Sequence, residues 1–253
     1  MAIPLLALVL LASLLPGQAF AAGGTATPSG GTPGAEQGGA PEQVAALIRR
    51  TLAAYGGERA TVRLARVRAS GRVTSPLHPG EVGKLTRVFS RSSRLRLEVA
   101  FPGSEPEVRV LDGGRAFRYG EPASGSVALA LQLQAARLDL PALLAEWETR
   151  VVDAGEVTHE GQRLRVLGLD LTAGSRIEAG IDPQSGRILY ARCLGRAGPR
   201  PLELFTVYRD FRVVDGVLVP FHEEGWANGE PVGEIDLTGV EFPEDLPDSA
   251  FAP

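Results

Sequence analysis

Residues 94–101, RLRLEVAF, alternate between polar and apolar side chains along almost their whole length. The side chains of a β-strand point alternately to the two faces of its sheet. One face of this strand carries four apolar residues, which are Leu95, Leu97, Val99 and Phe101. The other face carries Arg94, Arg96 and Glu98. The pattern predicts an antiparallel sheet with one dry face and one charged, solvated face.

Two further extended runs follow this strand. Pro102-Gly103-Ser104 separates it from residues 108–111, and Asp112-Gly113-Gly114 separates that run from residues 115–119. Gly and Asp tolerate the positive φ angles of a tight hairpin. We therefore expect a three-stranded meander whose apolar side must be covered by another part of the chain.

Similar extended patterns recur on both sides of the meander. They lie at residues 67–73, 82–91, 150–157, 163–171, 176–181, 187–193, 202–213, 217–226 and 232–242. Turn signals separate several of them, at Asp182-Pro183, Asp215-Gly216 and Asn228-Gly229. With the meander, the sequence predicts eleven or twelve strands and a mainly β fold.

Two segments have helical character. Residues 41–55 place apolar side chains three and four positions apart, begin at Pro41 and end at Gly56-Gly57. Residues 122–147 are rich in Ala, Leu and Gln, which favours helix, with a second short turn beginning at Pro141. Alternating apolar residues at 127, 129, 131 and 133 would instead suit a strand. We expect a helix here, and we expect it to cover the meander.

This balance of elements bears on ligand binding. A twisted sheet of this size curls, and two helices with 6% aromatic residues are little material to fill its concave side. An incompletely filled apolar hollow is suited to an apolar ligand. The alternative is a sheet that packs tightly on its helices and binds nothing.

The N-terminal residues have the features of an export signal. Residues 5–15 form an apolar run too short to span a membrane, and Ala19-Phe20-Ala21 has the small residues of a cleavage site. Residues 22–40 consist largely of Gly, Pro, Thr and Ala, as in a flexible linker. The predicted division is a signal peptide (1–21), a linker (22–40) and one folded domain (41–253).

Several functional classes find no support in the sequence. The net charge of −4 does not favour nucleic acid binding. Cys193 is the only cysteine, and the three histidines lie far apart. Serines and glycines form no nucleophile elbow or phosphate loop. Acidic residues such as Glu223 and Glu224 are interpreted as a solvated face. We therefore expect no enzymatic activity, no metal and no cofactor.

The order of several short motifs resembles that of a known family. The motifs are Tyr55-Gly56-Gly57, RSSRLR at 91–96, Leu111-Asp112-Gly113, Asp182-Pro183 followed by Gly186-Arg187-Ile188, and YRDFRVVDGVLVPF at 208–221. Together they resemble the LolA-like family of periplasmic lipoprotein and lipid carriers, over residues 42–251.

The resemblance implies an unclosed antiparallel half-barrel of about eleven strands, with a helical lid over a hydrophobic cavity that takes acyl chains. Arg91 matches by position the arginine that lies inside the barrel of these carriers and hydrogen-bonds the lid. Arg87, Arg94 and Arg96 are alternatives for that role. Arg91 would then be a surface charge at the end of a strand. Residues 126–137 would form the lid.

The sequence thus predicts a soluble, non-enzymatic periplasmic carrier of lipid or lipoprotein acyl chains. Its partners would be those acyl chains and, in transit, an inner-membrane exporter and an outer-membrane acceptor. The expected ligand-binding residues are Arg91, Leu95, Leu97, Val99, Phe101, Val108, Val110, Phe117, Tyr119, Leu129 and Leu133. One alternative is a regulatory or scaffolding module that senses lipid and contacts a partner protein. Another is a hydrolase whose site the sequence does not reveal.

Overall fold

The computed structural model describes residues 40–91, 93–172 and 174–253. The predicted signal peptide lies outside these residues, as does all of the predicted linker except Ala40, which is the first residue of a helix. The division into signal peptide, linker and domain therefore stays a prediction.

Thirteen strands form one sheet in which every neighbouring pair is antiparallel. In chain order they are β1 (Arg66–Thr74), β2 (Gly83–Ser90), β3 (Arg94–Ala100), β4 (Glu107–Asp112), β5 (Arg115–Arg118), β6 (Glu121–Ala123), β7 (Val152–His159), β8 (Gln162–Thr172), β9 (Ser175–Ile181), β10 (Ile188–Ala197), β11 (Arg200–Val214), β12 (Val217–Ala227) and β13 (Glu230–Glu241). The spatial order is β6-β5-β4-β3-β2-β1-β13-β12-β11-β10-β9-β8-β7.

The sheet is unclosed, because β6 and β7 lie at its two opposite edges. This confirms the predicted fold class, a mainly β half-barrel with helical cover. The strand count is thirteen rather than eleven or twelve. The strand that the sequence did not indicate is β6, whose three residues include Pro122 and show no alternation.

In the part of the chain that the structure describes, four α-helices accompany the sheet: α1 (Ala40–Tyr55), α2 (Glu58–Leu64), α3 (Ser126–Leu138) and α4 (Leu140–Glu146). The helix predicted at 41–55 is confirmed as α1, whereas α2 was not predicted. Between them, Gly56 has a φ of +109°, and a β-carbon there would lie 2.2 Å from the carbonyl oxygen of Gly216. Glycine thus allows the end of α1 to pack directly on the β11–β12 turn.

Within the predicted helical segment 122–147, helix is confirmed at Ser126–Leu138 and Leu140–Glu146, whereas residues 122 and 123 belong to β6. The strand alternative at 127–133 is wrong. The two helices are bent by 77° at Asp139, with Pro141 in the first turn of α4. No single helix of the described residues has the length and apolarity to cross a membrane; α3 and α4 reach them only when counted together.

The α3–α4 segment joins the two edge strands of the sheet. On its way α3 packs on β3, β4 and β5 from one half of the sheet and on β9, β10 and β11 from the other. Because it touches both halves, the segment must lie across the concave face. The helices predicted to cover the meander therefore cover the opposite half of the sheet as well.

Candidate functional site

The ends of the four helices meet the concave face of the sheet around an apolar cavity. Its volume is about 80 Å³. The lining residues are Tyr55, Leu64, Val67, Arg87, Phe89, Arg137, Leu138, Leu140, Pro141, Ile188, Tyr208, Leu218, Val219, Pro220, Glu223, Val240 and Phe242. All but three of these are apolar or aromatic. The three exceptions are Arg87, Arg137 and Glu223, and both arginines bond to Glu223.

Glu223 of β12 accepts hydrogen bonds from two arginines. Arg87 of β2 donates from Nη2 to Oε1 at 2.8 Å and from Nη1 to Oε2 at 3.2 Å. Arg137, in the last turn of α3, donates from Nη1 to Oε2 at 2.9 Å and also to the Tyr208 hydroxyl at 3.0 Å. We call the contacts of Arg137 with Glu223 and Tyr208 the buried contact. They join α3 to the sheet inside the protein.

The environment of this cluster shifts the pKa values of its members. Burial opposes the charge of Glu223 and by itself would raise its pKa, but Arg87 and Arg137 outweigh burial and lower the pKa to about 2. Burial also raises the pKa of Tyr208 to about 12. At neutral pH the cluster therefore contains a carboxylate, two guanidinium groups and a neutral phenol.

A second ion pair lies at the bend between α3 and α4. Arg91, in the β2–β3 turn, donates from Nε and Nη2 to the two carboxylate oxygens of Asp139, both at 2.8 Å, and from Nη2 to the carbonyl oxygen of Thr61 at 2.9 Å. The Arg91 side chain is 35% exposed and that of Asp139 is 6% exposed. We call the Arg91–Asp139 pair the rim contact.

Next to the rim contact lies an open groove of about 580 Å³. Arg91, Leu129 and Leu133 are among its lining residues, and Phe89 lines both the groove and the cavity. Leu129 packs closely on Gly195 of β10, where a β-carbon would lie 3.4 Å from Leu129 Cγ. The bend of the α3–α4 segment separates the two spaces.

The remaining expected ligand-binding residues of β3 lie on the concave face. Leu95 and Leu97 pack beneath Leu131 and Ala135 of α3. Val99 and Phe101 belong to a different concave cluster, which includes Leu64 of α2 and residues of β12. The structure thus places these four residues on one face but divides them between two parts of the core.

Val108, Val110 and Phe117 lie on the opposite, convex face, so the expectation that they share a face with Leu95 is wrong. The register pairs Arg96 with Val110, and Val110 with Phe117, which puts all three on the charged side of β3. There they pack against Leu246, Ala250 and Phe251 of the C-terminal segment. Tyr119 also lies away from the cavity and is 46% exposed at the β5–β6 turn.

The cluster around Glu223 was missed in the sequence. Glu223 is 4% exposed, so its interpretation as part of a solvated face is wrong. One signal could have revealed it: adjacent residues of a strand point to opposite faces, so one of Glu223 and Glu224 had to face inward. For Arg137 the signal was a lone charge within an apolar helix.

The described residues contain no group of three or more His, Cys, Asp or Glu side chains that could hold a metal ion. The cavity instead has an apolar lining with one buried group of charged side chains, Arg87, Arg137 and Glu223. Such a surface can bind and orient a molecule, and nothing in its geometry aligns a nucleophile with a base.

No protein-family model matches the sequence, and no curated protein matches it. Solved structures do resemble the fold. A LolA superfamily protein from Nitrosomonas europaea is 14% identical, with a TM-score of 0.51, over 77% of this chain and 97% of that one. A domain of an outer membrane lipoprotein-sorting protein from Vibrio parahaemolyticus is 12% identical, with a TM-score of 0.46, over 83% of this chain and 97% of that one.

The protein is therefore a single curved antiparallel sheet with a helical segment across its concave face, and this architecture is a LolA-like fold. At this level of identity the likeness extends to the fold alone.

Proposed function

We propose that the protein is a non-enzymatic periplasmic carrier that shields acyl chains of a lipid or lipoprotein between the sheet and the α3–α4 segment. The observation that carries this proposal is an apolar concave surface covered by a segment that belongs to neither half of the sheet. Under this proposal the α3–α4 segment is a lid.

The cavity volume supports a lid that moves. Binding pockets for small molecules usually measure roughly 300–1,000 Å³, whereas the cavity measures about 80 Å³. An acyl chain therefore needs additional space, which displacement of the lid would supply by joining the cavity to the groove. Lid movement need not break any strand pairing, because the lid is connected only to the edge strands β6 and β7.

An acyl chain would replace apolar contacts that the lid now makes. Leu131 and Ala135 cover Leu95 and Leu97, and Leu133 covers Cys193 of β10. Buried apolar area is worth about 25 cal/mol per Å², so chain and lid compete for the same stabilisation. In this proposal Leu95, Leu97, Leu129 and Leu133 contact the chain, and Arg91 holds the lid.

Transit between membranes would require export and two membrane partners. The proposal therefore includes cleavage of the signal peptide after Ala21, an inner-membrane donor and an outer-membrane acceptor. Intact-mass measurement of the secreted protein would test the cleavage.

A disulfide between lid and sheet tests the function directly. Leu129→Cys and Gly195→Cys, in a Cys193→Ser background, place two thiols where the side chain of residue 129 already contacts residue 195. Cβ atoms of a disulfide lie about 3.8 Å apart, and a β-carbon at position 195 would lie 3.4 Å from Leu129 Cγ. We expect the oxidised protein to exclude a fluorescent fatty acid and the reduced protein to bind it.

The two single-cysteine variants, treated with the same oxidant, are the controls. Mass spectrometry establishes that the bond has formed. Equal uptake by the cross-linked and reduced forms would show that the lid does not control access, and the proposed carrier mechanism would be wrong.

A further inference from the structure

The charges inside the cavity do not balance. Arg87 and Arg137 each carry one positive charge, and among the described residues Glu223 carries the only negative charge that bonds to them. Their side chains are 7%, 9% and 4% exposed, respectively. Tyr55 and Tyr208, which also line the cavity, are neutral because burial raises the pKa of both phenols. The cavity therefore holds a net charge of about one positive unit at neutral pH.

The acidic residues of the α3–α4 segment, Asp139 and Glu146, line the groove rather than the cavity and do not supply the missing charge. Asp139 also bonds with both carboxylate oxygens to Arg91. Burying an unbalanced charge is costly, because the interior solvates it poorly. The excess positive charge is thus a feature that a ligand could compensate.

Arg137 has hydrogen-bond donors that could bind an anionic group of a ligand. Its Nη1 makes both bonds of the buried contact. Among the described residues no hydrogen-bond partner of Arg137 Nε or Nη2 is seen, and Arg137 lines the cavity. A guanidinium group presents a planar set of donors that matches a carboxylate or a phosphate.

We propose that the cavity selects amphiphiles with an anionic head group, a carboxylate or a phosphodiester, which binds the free side of Arg137 while the acyl chain extends along the apolar surface toward the groove. This rests on the proposed carrier function and narrows its ligand class. A chain with an uncharged head would leave the positive charge of the cavity uncompensated.

The test compares ligands of one chain length. Dodecanoic acid, lauroyl lysophosphatidylglycerol and dodecanol compete with a neutral fluorescent reporter, N-phenyl-1-naphthylamine, for the wild-type protein. We expect both anionic ligands to bind at least about tenfold more tightly than the alcohol, a difference of about 1.4 kcal/mol.

Arg137→Met is the decisive variant, because it leaves Arg87 and Glu223 as a balanced pair. We expect the preference for the anionic ligands to fall to less than about twofold, with binding of the alcohol retained. The matched control is the double variant Arg91→Met and Asp139→Asn. It also removes a lid ion pair and an arginine, but it leaves the charge of the cavity unchanged, so the preference should persist. Circular dichroism and reporter binding verify that each variant is folded.

The outcomes separate this inference from the function on which it rests. If none of the three ligands displaces the reporter, the carrier proposal fails. If the alcohol binds wild type as well as the acids do, the carrier proposal stands and the charge selection is wrong. A preference that persists in Arg137→Met, or that disappears equally in the control, would likewise overturn the role of Arg137.

Discussion

Among the described residues, two ion pairs of nearly the same distance but different surroundings tie the α3–α4 segment to the rest of the protein. Arg137 makes one hydrogen bond to Glu223, whereas Arg91 makes two to Asp139. The carboxylate–guanidinium distances are 2.9 Å at the buried contact and 2.8 Å at the rim contact. Arg137, however, is 9% exposed, whereas Arg91 is 35% exposed. The two pairs therefore differ in the burial of the arginine and in the number of arginines that bind each carboxylate.

The two carboxylates respond in opposite directions. Glu223 has two buried arginines, and they lower its pKa in spite of burial. Asp139 has one half-exposed arginine, and burial raises its pKa although Arg91 lowers it. A bidentate ion pair at ideal distance is thus no guarantee that a carboxylate is stabilised in its charged form. The difference predicts different consequences for the same chemical change at the two sites.

The largest expected difference is between Glu223→Gln and Asp139→Asn. The first leaves two buried arginines without a counter-charge and should cost about 3–5 kcal/mol of unfolding free energy. The second removes a carboxylate whose ionisation burial already opposes and should change stability by about 1 kcal/mol or less. Urea denaturation at pH 7 measures both. Equal losses in the two variants would contradict the comparison.

Protonation of Glu223 should account for part of the loss of stability at acidic pH. Its pKa is lowered from 4.5 to about 2, so the folded state binds the proton more weakly than the unfolded state does. This contribution, about 3 kcal/mol, is fully present above the unfolded pKa and is lost as the pH falls from about 4.5 to about 2. Across this pH window the unfolding free energy, measured by urea denaturation at each pH, should fall more steeply for wild type than for Glu223→Gln. Parallel curves would show that Glu223 is not the titrating group.

Arg137→Met should loosen the lid without leaving a buried charge unpaired. Hydrogen bonds to charged groups contribute about 1.5–3 kcal/mol each, and the Arg87–Glu223 pair remains. We expect amide hydrogen exchange in α3 to accelerate by roughly tenfold to a hundredfold, with the exchange of β11 and β12 changed much less. The Arg91→Met and Asp139→Asn double variant is the comparison, and its acceleration should be smaller. A larger acceleration of exchange in the double variant than in Arg137→Met would show that the rim contact is the stronger of the two.

Tyr208→Phe gives the smallest expected effect at the buried contact. It removes one hydrogen bond from Arg137 while every charge remains, at a cost of about 0.5–1.5 kcal/mol. The melting temperature should fall by a few degrees, about 2–4 °C per kcal/mol for a chain of this size. A loss comparable to that of Glu223→Gln would mean that the hydroxyl, rather than the charge, dominates the contact.

Much of the local structure followed from the sequence. Alternation at 94–101 predicted both the strand and its dry face, because one face is charged and only the other can be buried. Asp215-Gly216 and Asn228-Gly229 predicted hairpin turns, and all four residues have positive φ. At 108–111 the same reasoning failed, because VRVL has apolar residues on both faces and its pattern cannot say which face is concave.

The sequence by itself determined most strands, the turns, the helical segment and the LolA-like order of elements, since each depends on residues close together in the chain. The tertiary structure decided which face of β4 lies inward, since strand register fixes that face. It also brought together Arg87, Arg137 and Glu223, which are separated by up to 136 positions. Contacts at that separation depend on how the whole sheet curls, and a local pattern carries no information about the curl.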